Sequence, residues 1–184
     1  MGACGAIVTF DAQTEDALRG LWQAISDAGL PSNMIGMEYP PHMTLLACEN
    51  FDVEGLRPHL PQFLGEYPPM PVTFSGLGVF DALIPVVYLP VAMSGSLQDF
   101  HRAFWRLAEP FVEGANHYYR PDAWFPHVTL NREMPIEQAG AVVDALLRAE
   151  RPAQGLLVNL VIAAFPDPKS GLVELFKASL GVRL

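Results

Sequence analysis

Pro41-His42-Met43-Thr44-Leu45 and Pro126-His127-Val128-Thr129-Leu130 are one phrase written twice, changed only at its middle residue. Both copies have strand character: Met, Leu, Val and Thr follow a proline that cannot donate to a ladder. Residues i and i+2 of a strand share a face, so each His projects with its Thr. Met43 with Leu45, and Val128 with Leu130, then point the other way, towards a core. Two such strands facing each other would gather two imidazoles and two hydroxyls around one cleft. That set suits acid–base chemistry on a phosphate.

Outward from the two phrases the same order of elements occurs twice. In the first half, a buried strand over 5–10 leads to a helix capped by Asp11 or Thr14, with Leu18, Leu21, Trp22 and Ile25 at helical spacing and an end near Gly29. A turn-rich stretch through Pro31, Gly36 and Pro40 enters the first His-Thr strand. A helix over about 53–64, shortened or broken by Pro58 and Pro61, follows it. Strands near 72–80 and 84–91 are separated by a turn at Asp81. In the second half, Ser94-Gly95-Ser96 reads as a helix entry, and Leu97, Phe100, Phe104, Leu107 and Phe111 predict a helix over 97–112. A polar and aromatic loop over 113–124 precedes the second His-Thr strand. A helix over 136–148 and strands near 156–165 and 172–180 complete the chain, with a hairpin turn at Asp167-Pro168-Lys169-Ser170-Gly171. The expected fold is α+β: two similar lobes of mainly antiparallel sheet with outer helices around a central groove. Residues 1–184 are expected to form a single bilobal domain with an internal pseudo-repeat.

Composition narrows the partners. Half of the 184 residues are hydrophobic (51%) and 17% are charged, as in a globular chain with one substantial core. Twenty acidic against eleven basic residues give a formal charge of −9, without a basic run, which disfavours wrapping a duplex nucleic acid. A local positive pocket for a nucleotide or one chain end remains compatible with that balance. The apolar stretch over 155–165 is too short to span a bilayer, and a monomer without membrane association is expected. No secretory signal is expected at the start, and Ala6 stands where a myristoylation signal wants Ser or Thr. Cys4 and Cys48 form neither a disulfide framework nor a zinc pattern, which fits the cytoplasm.

Breaking or closing a phosphodiester needs one group to take a proton from the attacking oxygen and another to give one to the leaving oxygen. Histidine does either near neutrality, and a pair divides the roles. Threonine hydroxyls can donate to the non-bridging phosphate oxygens. Nothing in this scheme calls for a metal or another cofactor. A lone His-x-Thr is commonly structural; the same frame at equivalent places in both halves argues for function.

The paired His-x-Thr strands resemble the two-histidine (2H) phosphoesterase superfamily, which includes the 2′-5′ RNA ligase / RNA 2′,3′-cyclic phosphodiesterase proteins. Residues 119–130, Tyr-Arg-Pro-Asp-Ala-Trp-Phe-Pro-His-Val-Thr-Leu, are similar to that group's approach to its second motif, and Arg132 matches its usual basic residue. An aromatic residue commonly follows the first motif in RNA ligase-like members, whereas this chain runs Leu46-Ala47-Cys48. The resemblance implies metal-independent catalysis, with His42 and His127 as the acid–base pair and Thr44 and Thr129 holding the phosphate. It implies a 2′,3′-cyclic phosphate or a 2′-5′-linked nucleotide or RNA end as substrate, and a part in RNA processing.

Weaker candidates flank the motifs. Arg132 could bind phosphate, and Tyr39, Tyr118, Tyr119, Trp124 and Phe125 could stack on a base. Packing is the plainer role for Trp124. Arg120 is expected to order its own loop. His59, His101 and His117 read as structural or exposed, and Gly76-Leu77-Gly78 as a bulge. The rival reading is a non-catalytic nucleotide or RNA-end binding module using the same groove. A zinc hydrolase is a poorer third, without a His-Glu-x-x-His motif.

Overall fold

A computed structural model describes residues 3–35, 39–81, 84–165 and 171–182. Strand β1 (Ala3–Phe10) runs into Asp11, whose carboxylate accepts the Thr14 amide at 3.2 Å and so caps helix α1 (Ala12–Asp27). Leu18, Leu21, Trp22 and Ile25 form the buried face of α1. The helix stops at Gly29, whose φ of 72° is left-handed backbone that glycine adopts without strain. Next come β2 (His42–Cys48), β3 (Asn50–Phe51), α2 (Val53–Leu56), a 3-10 turn (Arg57–His59) and α3 (Leu60–Glu66). Pro58 and Pro61 thus divide the expected helix, because neither can donate a backbone hydrogen bond.

Strands β4 (Met70–Thr73), β5 (Gly78–Phe80) and β6 (Val86–Pro90) precede α4 (Gly95–Ala108). The Ser94 hydroxyl caps α4 by accepting the Leu97 amide at 3.2 Å. Pro110 lies in the 3-10 turn (Glu109–Phe111) that follows, so α4 ends short of its expected limit. After β7 (Val112–Glu113) and a 3-10 turn (His117–Tyr119) come β8 (His127–Asn131), α5 (Ile136–Arg148), β9 (Gln154–Phe165) and β10 (Val173–Ser179).

The strands join in the order β10-β9-β1-β2-β8-β6-β5, with β4 also on β9 and every pairing antiparallel. Strands β3 and β7 form a separate ribbon. The molecule is therefore α+β, with two similar lobes of antiparallel sheet meeting at the two His-Thr strands. Outward from that seam, β1 flanks β2 and β6 flanks β8; α1 follows β1, and α4 comes after β6 in the chain. The main hydrophobic core runs beneath both lobes, with Trp22, Phe100 and Phe104 its largest fully buried side chains, and Ile7, Val161 and Ala163 form a small second cluster. Among the described residues no helix is long and apolar enough to cross a membrane.

Two further expectations change. The single strand over 72–80 is two strands with different partners, β4 on β9 and β5 on β6, parted at Gly76, whose φ is 66°. Gly78 does not mark a bulge; it pairs with Tyr88 in regular register, and a Cβ there would collide with the Tyr88 ring. His101, read as structural or exposed, is structural: it lies on the buried face of α4 and is 1% exposed. Residues 36 and 166–170, including most of the expected hairpin turn, lie outside the described residues. Cys4 and Cys48 face each other across β1 and β2 as free thiols, and burial pushes the Cys48 thiol up to about 12.

Candidate active site

Met43 and Val128 pair at the centre of the sheet, both buried. In an antiparallel register this sets His42 beside Thr129 and Thr44 beside His127. All four lie on the opposite face and are half-buried. The histidines sit on the diagonal of this square, near enough that a charge on His127 lowers the proton affinity of His42.

Each imidazole is fixed by the same local device. His42 Nδ1 lies 2.8 Å from the Pro40 carbonyl, and His127 Nδ1 lies 2.8 Å from the Phe125 carbonyl, two residues back in both cases. A carbonyl only accepts, so Nδ1 carries the proton and Nε2 of the neutral ring keeps its lone pair. The residue between is proline each time, Pro41 and Pro126, whose fixed φ helps to set that carbonyl. Burial holds both histidines below the ordinary imidazole value, partly opposed by these carbonyl bonds; at His42 the charges of His127 and Arg132 add to the lowering.

A second device is also duplicated. On β2 the ladder to β1 passes from Ile7–Thr44 to Ala6–Leu46, skipping Leu45. On β8 the ladder to β6 passes from Tyr88–Thr129 to Val87–Asn131, skipping Leu130. Each His-x-Thr strand thus carries a bulge directly after its threonine, which buries two successive residues beyond it. Buried side chains brace the kinks. The Trp124 indole donates to the Thr44 carbonyl at 2.9 Å, and the Trp22 indole donates to the Thr129 carbonyl at 3.3 Å. His101 Nε2 lies 2.9 Å from the Leu45 carbonyl, the imidazole is also hydrogen-bonded to the Tyr119 backbone carbonyl, and its ring stacks on Trp124 at 3.8 Å and 5°. Burial holds His101 down to about 4 despite both carbonyls.

The end of β8 is tied to the loop after α1. Asn131, fully buried, donates to the Pro31 carbonyl at 2.7 Å. The Asn33 amide grips the Arg132 backbone twice, accepting its N–H at 3.3 Å and donating to its carbonyl. Glu133 follows with a left-handed φ of 57° and an ion pair of 3.6 Å to Arg132 Nε. These ties fix the backbone from which the Arg132 cation acts on His42. Asn33 and His101 carry this support without a motif to reveal it; the one sequence signal was Trp22 and Trp124, each in a segment leading towards a phrase.

The remaining candidates differ in exposure. Tyr39 is buried with its ring edge-on to His42 at 6.4 Å, and Trp124 is buried behind Thr44. The Tyr119 side chain is hydrogen-bonded to that of Thr44. Phe125, 47% exposed, and half-buried Phe80 stand beside His127. Tyr118 and His117 are exposed and packed on each other, as His59 is on Phe111. Among the described residues no three His, Cys, Asp or Glu side chains converge as metal ligands.

The family model described as the 2′-5′ RNA ligase superfamily matches residues 9–165, a span that contains both phrases. Among solved structures, Escherichia coli LigT complexed with 3′-AMP superposes with a TM-score of 0.61 at 14% identity, covering 97% of each chain. The TT0787 protein of Thermus thermophilus gives 0.59 at 18% identity over 100% of both chains. Usb1 of Kluyveromyces marxianus gives 0.52 at 11% identity, covering 94% of this chain and 96% of its own. At these identities the likeness is one of fold. No curated protein matches the sequence.

Proposed function

The chain belongs to the 2′-5′ RNA ligase superfamily, of phosphoesterases and RNA ligase-like enzymes, and from that membership we propose a metal-independent phosphoesterase. It hydrolyses a 2′,3′-cyclic phosphate or a 2′-5′ phosphodiester of a nucleotide or RNA end. One observation carries this reading: two imidazoles on adjacent strands share a face, each with Nδ1 held by the carbonyl two residues back. Nε2 of one histidine takes a proton as water attacks phosphorus. Nε2 of the other, protonated, gives its proton to the ribose oxygen as the P–O bond breaks. The two rings end with their protons exchanged, and solvent restores them. Ligation is the reverse of the same displacement.

Both rings are held towards the neutral form, which suits the base. The acid gains its proton when an anionic phosphate enters, since a nearby negative charge raises an imidazole pKa. Thr44, Thr129 and Arg132 hold the non-bridging oxygens, where charge accumulates. LigT is complexed with 3′-AMP, a monophosphate of the kind that opening a 2′,3′-cyclic phosphate produces. The whole chain acts as one bilobal unit with an internal pseudo-repeat, as a cytoplasmic monomer.

Incubation with nucleoside 2′,3′-cyclic monophosphates in excess chelator should yield monophosphate. His42→Ala and His127→Ala should each abolish it. Turnover retained by both variants would remove these residues from the chemistry. No turnover on all four bases or on short 2′-5′ oligonucleotides would leave a binding module.

A further inference from the structure

The two histidines stand in unlike surroundings. Behind His42 lies Tyr39, itself only 4% exposed. Around His127 three rings gather: Phe80 at 4.9 Å, Tyr88 at 5.3 Å and Phe125 at 6.4 Å between centroids. Local structure places them there. Phe125 is two residues before His127, so extended backbone puts both on one face. Tyr88 pairs with Gly78 across β5 and β6, and the missing Cβ lets the phenol ring lie over the glycine. Phe80 then stacks on Tyr88 at 4.1 Å and 24°. Tyr88 is buried beneath, whereas Phe125 is 47% exposed and Phe80 half-buried.

We propose that Phe125, bordered by Phe80 at 6.1 Å and 78° to it, forms a stacking face for the base of a nucleotide whose phosphate lies between His42 and His127. This rests on the phosphoesterase reading of the same site. Aromatic area left open beside the four motif side chains is a platform for a π-face, and every base has one, so the subsite favours nucleotides over base-free phosphates without selecting a sequence. Of the other candidate rings, Tyr118 is exposed but packed on His117 at 4.0 Å. Tyr39 and Trp124 are buried, and Tyr119 is engaged with Thr44. The base therefore lies on the β5–β6 side of the seam, which gives the substrate a fixed direction across two otherwise similar strands.

Calorimetric titration of the full chain with adenosine 3′-monophosphate, uridine 3′-monophosphate and ribose 5-phosphate tests this. Both nucleotides should bind at least tenfold more tightly than the base-free phosphate. Phe125→Ala should lose about tenfold or more of nucleotide affinity, the loss expected for one stacked ring, and Phe125→Trp should keep it. Equal binding of nucleotides and ribose 5-phosphate by the wild type overturns the proposal. So does a nucleotide preference that survives both Phe125→Ala and Phe80→Leu. Turnover of cyclic phosphates without any base-dependent binding would overturn this subsite alone. Base-dependent binding lost in Phe125→Ala, without turnover, would uphold the subsite and refute the hydrolase.

Discussion

Replacing Trp124 with Phe asks whether the braced bulges hold the site together. The variant keeps an aromatic ring against His101 but removes the indole N–H that donates to the Thr44 carbonyl at 2.9 Å. Loss of a buried hydrogen bond costs about 1 kcal/mol, rising to about 3 if the carbonyl is left unsatisfied. Shrinking a ring system that is 7% exposed gives up about 40 Å² of buried apolar surface, or about 1 kcal/mol at 25 cal/mol per Å². The expected destabilisation is about 2–4 kcal/mol in urea unfolding at an unchanged m-value. Because the bond sits at Thr44, whose hydroxyl is proposed to hold the phosphate, kcat should fall by at least about tenfold, while KM moves less. Trp22→Phe removes the equivalent but longer bond of 3.3 Å to Thr129 and should do the same more mildly. If both variants stay within about 0.5 kcal/mol of wild type and keep their kcat, the indoles only fill space, and the bracing argument is wrong.

Buried His101 titrates near 6.5 in the unfolded chain and near 4 in the fold. The unfolded chain therefore takes up the proton first, so its contribution is complete above about pH 6.5 and is lost towards pH 4, by about 3 kcal/mol. Denaturation across that window should show the slope, and His101→Gln should flatten it; an unchanged slope would assign the effect to His42 and His127, which shift in the same direction. Gly78→Ala should cost about 1–3 kcal/mol by driving a methyl into the Tyr88 ring, and it should weaken nucleotide binding in the same titrations; a neutral result would mean that the ring yields freely. Asn33→Ala removes two bonds to the Arg132 backbone, for about 1–2 kcal/mol of stability. It should also raise the His42 pKa followed by NMR, as the arginine cation leaves its place; a pKa equal to wild type would deny Asn33 that positioning role.

Much of the fold was legible because the strongest signals were local. The helix over 136–148 matched its limits to the residue, its apolar spacing being free of interruption, and Asp11 and Ser94 announced helix starts through caps that act within three residues. The phrases showed which residues share a face, since alternation needs no knowledge of partners. What failed to show was set by distant contacts. Nothing in the stretch over 70–80 says that its first part belongs to β9 and its last to β6. The bulges left only a faint trace, the adjacent Leu45 and Leu46, and in β8 that trace is masked because the second residue is Asn131. Asn33 and His101 act on carbonyls 99 and 56 residues away, a reach that no spacing rule detects.

The exchange of outer strands between the halves has a consequence for how the site can be assembled. Strand β9 comes late in the chain yet pairs along the whole of β1, β4 from the first half is laid on the start of β9, and β6 from the first half pairs with β8. A cut in the connection after Val91 would give two pieces, each with an intact His-x-Thr phrase and neither with a complete sheet. The first would hold β1 without β9, and the second β9 without β1. The two halves are interlocked, and their reunion would be a bimolecular reaction governed by concentration. The motif is duplicated along the sequence, but the scaffold that aims it exists only once.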